Sequence, residues 1–128
     1  LPIPVSQLLT KIEAWCQLAD MPTGWTGDGA LEVSAGGSSA VVLSYSVDRL
    51  WFQQQIDVPA GTTDTAAIAA CRLANLARRG VLNARWRVGF VEITGSLRQE
   101  DCTKEAVMWL FDEAATLAAV LAKQLDPP

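Results

Sequence analysis

Two alternating segments separated by a two-residue connection constrain the fold of this chain most. Residues 40–47 place one apolar set on a single face, namely Val41, Leu43, Tyr45 and Val47. Residues 50–58 alternate again and place Phe52, Ile56 and Val58 together, with Gln54 breaking the inner pattern. Because Asp48-Arg49 leaves room only for a tight turn, the two segments must pair antiparallel. The pattern predicts a meander with one buried face and one polar face.

The polar face of the second segment carries the first candidate binding residues. Trp51, Gln53 and Gln55 share this outward parity. Tryptophan is enriched at protein interfaces, so an outward Trp51 indicates a contact with a partner. The competing interpretation, that Trp51 packs under a helix or at a rim of the sheet, stays open at this point.

The N-terminal third predicts a helix, a loop and a short strand. Ser6 is the expected N-cap of a helix that ends near Asp20. Residues 22–29 are rich in glycine, threonine and proline and predict a loop. A short strand is expected over 31–35, followed by a turn at Gly36-Gly37.

A second helix is expected after Pro59-Ala60-Gly61. Its predicted inner stripe consists of Ala66, Ala69, Ala70, Leu73, Leu76 and Ala77. Arg78-Arg79-Gly80 is a typical helix end, since cations complement the helix dipole and glycine adopts the left-handed cap. The small residues predict close packing against a sheet or a second copy of the chain.

The segment 81–98 predicts a second β region with a change of parity. Arg85 and Arg87 point outward and Trp86 inward. The same parity continued past Gly89 would place Glu92 in the core, so a bulge or turn is expected at Gly89. The segment therefore forms either two strands or one strand broken at Gly89.

The last helix is the clearest periodic signal. It is expected over about 103–125, with Asp101 as N-cap. Its apolar stripe consists of Val107, Leu110, Phe111, Ala114, Leu117, Ala118, Leu121 and Leu125. Trp109 lies off this stripe, which makes it a second candidate contact for a partner.

The predicted order of elements is α-β-β-β-α-β-β-α. Consecutive strands without intervening helices predict an α+β fold, with one antiparallel sheet and helices packed on one face. A length of 128 residues is typical of a single domain, so residues 1–128 are expected to form one unit.

Composition excludes most catalytic chemistry. The chain has no histidine, which removes Ser-His-Asp and Cys-His systems and imidazole metal sites. Cys16, Cys71 and Cys102 are widely spaced and odd in number, so buried or half-buried thiols are expected rather than disulfides or zinc. No phosphate-binding glycine motif is present. We therefore expect no cofactor, no metal and no enzymatic activity.

The charge is distributed unevenly. Residues 65–91 hold five arginines and no acid, between two acidic segments, and the chain has a net charge of −4. Two interpretations remain for Arg78, Arg79, Arg85 and Arg87. They form a patch for an acidic partner, or two serve the helix end and two pair with acids across the sheet. Net acidity makes nucleic acid an unfavourable partner.

No membrane span or signal peptide is evident, so a cytoplasmic protein is expected.

The order of elements and the segment from Leu76-Ala77-Arg78-Arg79-Gly80 to Val88-Gly89 resemble the type III secretion chaperone fold and the YbjN-like proteins. The resemblance implies a non-enzymatic chaperone-like module, usually dimeric, that binds a protein client. We expect a homodimer with a client-binding apolar surface. The alternative is an accessory protein in nucleic-acid transactions that uses the arginines.

Overall fold

The structure is a computed structural model that describes residues 6–34, 39–77 and 80–125. The elements in these parts of the chain are α1 (Gln7–Leu18), β1 (Thr23–Trp25), β2 (Leu31–Val33), β3 (Val41–Ser46), β4 (Arg49–Asp57), α2 (Asp64–Ala77), β5 (Asn83–Arg87), β6 (Phe90–Arg98) and α3 (Lys104–Leu125). A single turn of 3-10 helix, Gln99–Asp101, precedes α3. The α+β class is confirmed, with one strand more than the sequence pattern predicts.

The additional strand is β1, which lies where the sequence predicts a loop over 22–29. It pairs antiparallel with β2, with Gly24 opposite Glu32. Three residues are too few to show an alternating pattern, and β1 contains a glycine. Its extended conformation therefore depends on pairing with β2, which a local pattern cannot reveal.

The described strands form one antiparallel sheet in the order β1-β2-β3-β4-β6-β5. β4 and β6 pair along their full length, from Arg49 opposite Arg98 to Asp57 opposite Phe90. The chain leaves β4 through α2 and returns as β5, beyond β6, at the edge of the sheet. The parity switch is confirmed as a hairpin between β5 and β6, in which Gly89 has a φ of 88°.

One face of the sheet packs against all three helices. Phe52 of β4 and Phe111 of α3 meet edge to face, with ring centroids 6.1 Å apart. Buried side chains from α1, α2, α3 and the strands form one cluster. Gln54 also lies on this face, and its Nε2 donates to the carbonyl oxygen of Ser39 at 2.9 Å. The prediction that the helices share one face of the sheet is confirmed.

Hydroxyl caps begin the three helices. The Oγ of Ser6 accepts from the amide of Leu9 at 3.0 Å, as the sequence predicts for α1. Thr63 caps α2 in the same way. The cap of α3 is Thr103, which accepts from the amide of Ala106. The expectation of Asp101 as this cap is wrong, because Asp101 lies in the preceding 3-10 turn.

The turn between β3 and β4 differs from the predicted connection. Val47 and Asp48 form it, with φ angles of 53° and 58°, while Arg49 already belongs to β4. Val47 is therefore an exposed turn residue and not the last inward residue of a strand. Positive φ at both central positions matches the twist of a two-residue hairpin, but it is unfavourable for a β-branched side chain.

The substitution Val47→Asn is expected to stabilise the fold by about 1 kcal/mol, since asparagine tolerates the left-handed conformation that strains valine. Urea denaturation should show a higher midpoint with an unchanged slope.

The matched control for this prediction is Val88→Asn. Val88 is also an exposed valine in a two-residue hairpin connection, but its φ is not positive. An equal gain in both variants would contradict strain at Val47 as the cause.

Candidate functional site

Trp51, Gln53 and Gln55 lie on the side of the sheet that faces away from the helices, which we call the open face. Trp51 is 42% exposed, and its indole Nε1 donates to the carbonyl oxygen of Ser46 at 3.2 Å. In the ladder, Trp51 lies between Ser44 and Ser96. This exposure contradicts the interpretation in which a helix covers Trp51.

A shallow depression of about 470 Å³ surrounds Trp51 on the open face. Its lining is Ser44, Trp51, Phe52, Gln53, Val81, Glu92, Thr94, Gly95 and Ser96. The side chains that border Trp51 are mostly neutral hydrogen-bonding groups. An aromatic ring bordered by hydroxyl and amide groups can pack against an apolar side chain and satisfy a peptide backbone at the same time.

Glu92 organises the polar end of the open face. Its carboxylate accepts from Gln53 Nε2 at 3.0 Å and forms an ion pair with Arg87 at 3.2 Å. Arg85 lies directly opposite Glu92 in the β5–β6 ladder. The charge of Arg87 is therefore neutralised locally, as expected if outward arginines pair with acids across the sheet. Arg78 and Arg79 lie outside the described residues.

Trp109 lies on α3, in the helical layer, and so on the other side of the sheet from Trp51. It is 41% exposed and packs against Gly80. A Cβ at Gly80 would clash with the Cη2 and Cζ3 atoms of Trp109. The candidate residues therefore fall on two separate surfaces and do not form one groove.

The inner stripe predicted for α2 is wrong in most positions. The residues that α2 buries are Ala67, Ala70, Cys71 and Ala74. Four residues of the predicted stripe are exposed instead, and we call them the outer α2 stripe: Ala66, Ala69, Leu73 and Leu76. Both sets recur at helical spacing and consist largely of alanine. Local periodicity therefore cannot choose between them, and the packing of α2 against α3 and β5 decides.

Leu76 is 82% exposed, and Leu73 is 45% exposed. Ala77, the last residue of the predicted stripe, has no described side chain. Two exposed leucines beside two alanines make an apolar strip that no other residue in the described part of the chain covers.

The thiols lack the properties of nucleophiles. Cys16 and Cys71 are buried and Cys102 is half-buried, as the sequence predicts. Desolvation raises the pKa of Cys16 to about 11, and burial also raises the pKa values of Cys71 and Cys102. A raised pKa disfavours the reactive thiolate at neutral pH.

Residues 6–34, 39–77 and 80–125 contain no cluster of three or more His, Cys, Asp or Glu side chains that could hold a metal ion. No helix among them is long and apolar enough to cross a membrane.

The fold is that of the YbjN protein and of type III secretion chaperones. The crystal structure of YbjN from E. coli, described as a candidate transcription regulator, has a TM-score of 0.64 at 17% identity, covering 94% of this chain and 96% of YbjN. The HopA1–SchA chaperone–effector complex contains a chain with a TM-score of 0.62 at 16% identity, covering 97% of this chain and 100% of that one.

A third similar structure is the heterodimeric ExoU–SpcU complex of the Pseudomonas aeruginosa type III secretion system. Its TM-score is 0.65 at 16% identity, covering 91% of this chain and 99% of that one. No protein-family model matches this sequence, and no curated protein matches it. At these identities the likeness establishes the shared fold.

The contact between Gly80 and Trp109 generates a double-mutant prediction. Gly80→Ala should destabilise the fold by about 1–3 kcal/mol, because the added Cβ overlaps the indole ring. Trp109→Ala removes the ring, so Gly80→Ala in that background should cost much less. Urea denaturation of the four proteins measures the coupling. Equal costs in both backgrounds would contradict the contact.

Proposed function

We propose that this protein is a non-enzymatic, chaperone-like module that acts as a homodimer and binds a protein client. The observation that carries the proposal is the apolar surface left over once the core is complete. The outer α2 stripe and Trp51 lie on surfaces that the rest of the chain leaves accessible. The chaperone–effector complexes with this fold support a protein as the partner.

The outer α2 stripe is the proposed dimer contact. Burial of one leucine side chain contributes about 1.5–3 kcal/mol. In a two-fold dimer the same leucine is buried in both copies, so this contribution counts twice. Ala66 and Ala69 on the same stripe allow a second helix to approach closely. The alanine and leucine side chains of the stripe carry no polar atom, so its contribution to binding is apolar.

The open face is the proposed client contact. Trp51 supplies a large apolar ring on β4, and Gln53 and Gln55 further along the strand offer hydrogen bonds to a client chain. Large aromatic residues dominate binding energy at protein interfaces. Trp109 lies on the helical side and would contact a client only if the client extends around the sheet.

A non-enzymatic role in the cytoplasm fits the side-chain chemistry. The chain has no histidine, and burial raises the pKa values of all three thiols. Unpaired thiols are typical of a reducing compartment. We also propose that residues 1–128 form one domain, since the buried side chains make one cluster.

Nucleic-acid binding is the weaker alternative. The description of YbjN as a candidate transcription regulator favours it. Against it, the net charge is −4, and Arg87 is paired with Glu92. A salt titration with single- and double-stranded DNA would reveal binding of this kind, because phosphate contacts weaken steeply as salt rises.

The wild-type chain is expected to sediment at twice its 13.7 kDa mass at micromolar concentration. Leu76→Glu should weaken the dimer by more than about 100-fold, because both copies lose a buried leucine and gain a charge. Sedimentation velocity over a concentration series measures both proteins.

The control for this experiment is Leu18→Glu, which changes a leucine of similar exposure, 77%, at the end of α1. It should remain dimeric. A wild-type protein that is a single 13.7 kDa species would refute the dimer, and a dimeric Leu76→Glu would place the contact elsewhere.

Affinity capture from the source cells should recover a client that Trp51→Ala no longer retains. Truncation of a central interface tryptophan costs about 2 kcal/mol or more, which lowers affinity about 30-fold. Trp25→Ala is the matched control, since Trp25 is 38% exposed but lies on β1 and does not face the open side. Equal loss in both variants would contradict the open face as the client site.

A further inference from the structure

The outer α2 stripe is too narrow to form a stable dimer by itself. Its two leucines can bury on the order of 200 Å² of apolar surface. A stable protein interface buries about 800 Å² on each partner, which is more than four small or medium side chains of one helix supply. The dimer contact must therefore extend from the stripe onto a neighbouring element.

Trp109 lies beside the C-terminal end of α2. Its indole ring packs against Gly80, which follows shortly after the end of α2 at Ala77. Glu113, one turn further along α3, also lies close to Gly80. Leu76 precedes Gly80 by four residues, a separation that spans at most about 14 Å. Leu76 and Trp109 therefore lie at the same end of the pair formed by α2 and α3.

The outer α2 stripe borders α3. α2 packs against β5 on one flank and against α3 on the other. Asn75 marks the β5 flank, since its side chain forms two hydrogen bonds with the backbone of Ala84. At roughly 100° per residue, Leu73 lies across the buried residues of α2 from Asn75, which is the α3 flank. The exposed ring of Trp109 therefore continues the apolar surface of the stripe from α2 onto α3.

The sizes of the side chains along the stripe favour one relative orientation of two copies. The N-terminal half of the stripe carries Ala66 and Ala69, and the C-terminal half carries Leu73 and Leu76. In a parallel pair of α2 helices, alanines would face alanines and leave a gap that loses packing contacts. In an antiparallel pair, which a two-fold axis perpendicular to α2 produces, the leucines of each copy face the alanines of the other.

We propose that α2 packs antiparallel against α2 of a second copy of this chain, and that Trp109 covers the Ala66 end of that second helix. The ring stands beyond Leu76 at the C-terminal end of α2, which is where an antiparallel neighbour brings its N-terminal end. Trp109 adds a large aromatic contact on each copy, and polar residues along α2 and α3 form the rim. This inference rests on the proposed homodimer and names the residues and the orientation of its contact.

Sedimentation velocity of the full chain over a concentration series tests the role of Trp109. Trp109→Ala should weaken the dimer by about 100-fold or more, because both copies lose the ring. Trp51→Ala is the matched control, since Trp51 is similarly exposed but lies on the open face. It should leave the affinity of the dimer unchanged.

Ala66→Glu tests the same contact and leaves the packing of Trp109 against Gly80 in place. Ala66 is exposed on α2, so the variant should fold as the wild type does. In the dimer, its carboxylate would be buried beneath Trp109 of the second copy, so the affinity should fall about as far as in Trp109→Ala. Ala14→Glu changes an exposed alanine of α1 and should remain dimeric.

Cysteine cross-linking tests the antiparallel orientation. A mixture of Ala66→Cys and Leu76→Cys chains should form a disulfide between the two variants in oxidised glutathione, because these positions meet across the two-fold axis. Leu76→Cys by itself should not cross-link to a second Leu76→Cys chain. Mass spectrometry of the digested protein identifies which cysteines are joined.

The outcomes separate this contact from the dimer itself. A wild-type chain that sediments as a single 13.7 kDa species would refute the dimer and this inference with it. A dimer that survives Trp109→Ala and Ala66→Glu but not Leu76→Glu would refute the Trp109 contact alone. Cross-linking of Leu76→Cys to itself would overturn the antiparallel orientation.

Discussion

The pairing of β4 with β6 is the constraint on which the rest of the structure depends. These strands are distant in sequence, yet they form an antiparallel ladder that runs from Arg49–Arg98 to Asp57–Phe90. The ladder directs Phe52 toward α3 and Trp51 away from it. Because β6 occupies the place beside β4, the chain must carry β5 past it to the edge, and α2 spans that distance. The packing of α2 against β5 at this edge is a direct consequence.

Close approach at two glycines makes this crossover possible. A Cβ on Gly95 of β6 would lie 2.6 Å from the carbonyl oxygen of Val81, and one on Gly80 would overlap Trp109. The connection from α2 to β5 therefore passes against both β6 and α3. Such contacts couple the helical layer to the edge of the sheet, since neither neighbour can move without losing packing.

The arginines of the basic segment serve different purposes once the chain is folded. Arg87 is neutralised by Glu92 on the open face, a pairing set by the β5–β6 register. Arg72 lies exposed on α2, whereas Arg85 lies on the open face, directly opposite Glu92. A run of like charges in sequence is therefore not one patch in space. Charge complementarity with a partner arises where the fold leaves cations without carboxylates.

The periodicity of apolar residues in the sequence determined much of the secondary structure and side-chain orientation of this protein. The stripe of α3, the alternation of β3 and β4 and the parity switch at Gly89 follow from local patterns, and so does the outward position of Trp51, Gln53 and Gln55. Tertiary structure alone decided the formation of β1, the face that α2 buries and the contact of Gly80 with Trp109. These three features depend on which segments, distant in sequence, pack beside one another in the folded chain. Where two alanine-rich stripes on one helix fit equally well, only the volume left by the neighbouring elements selects between them.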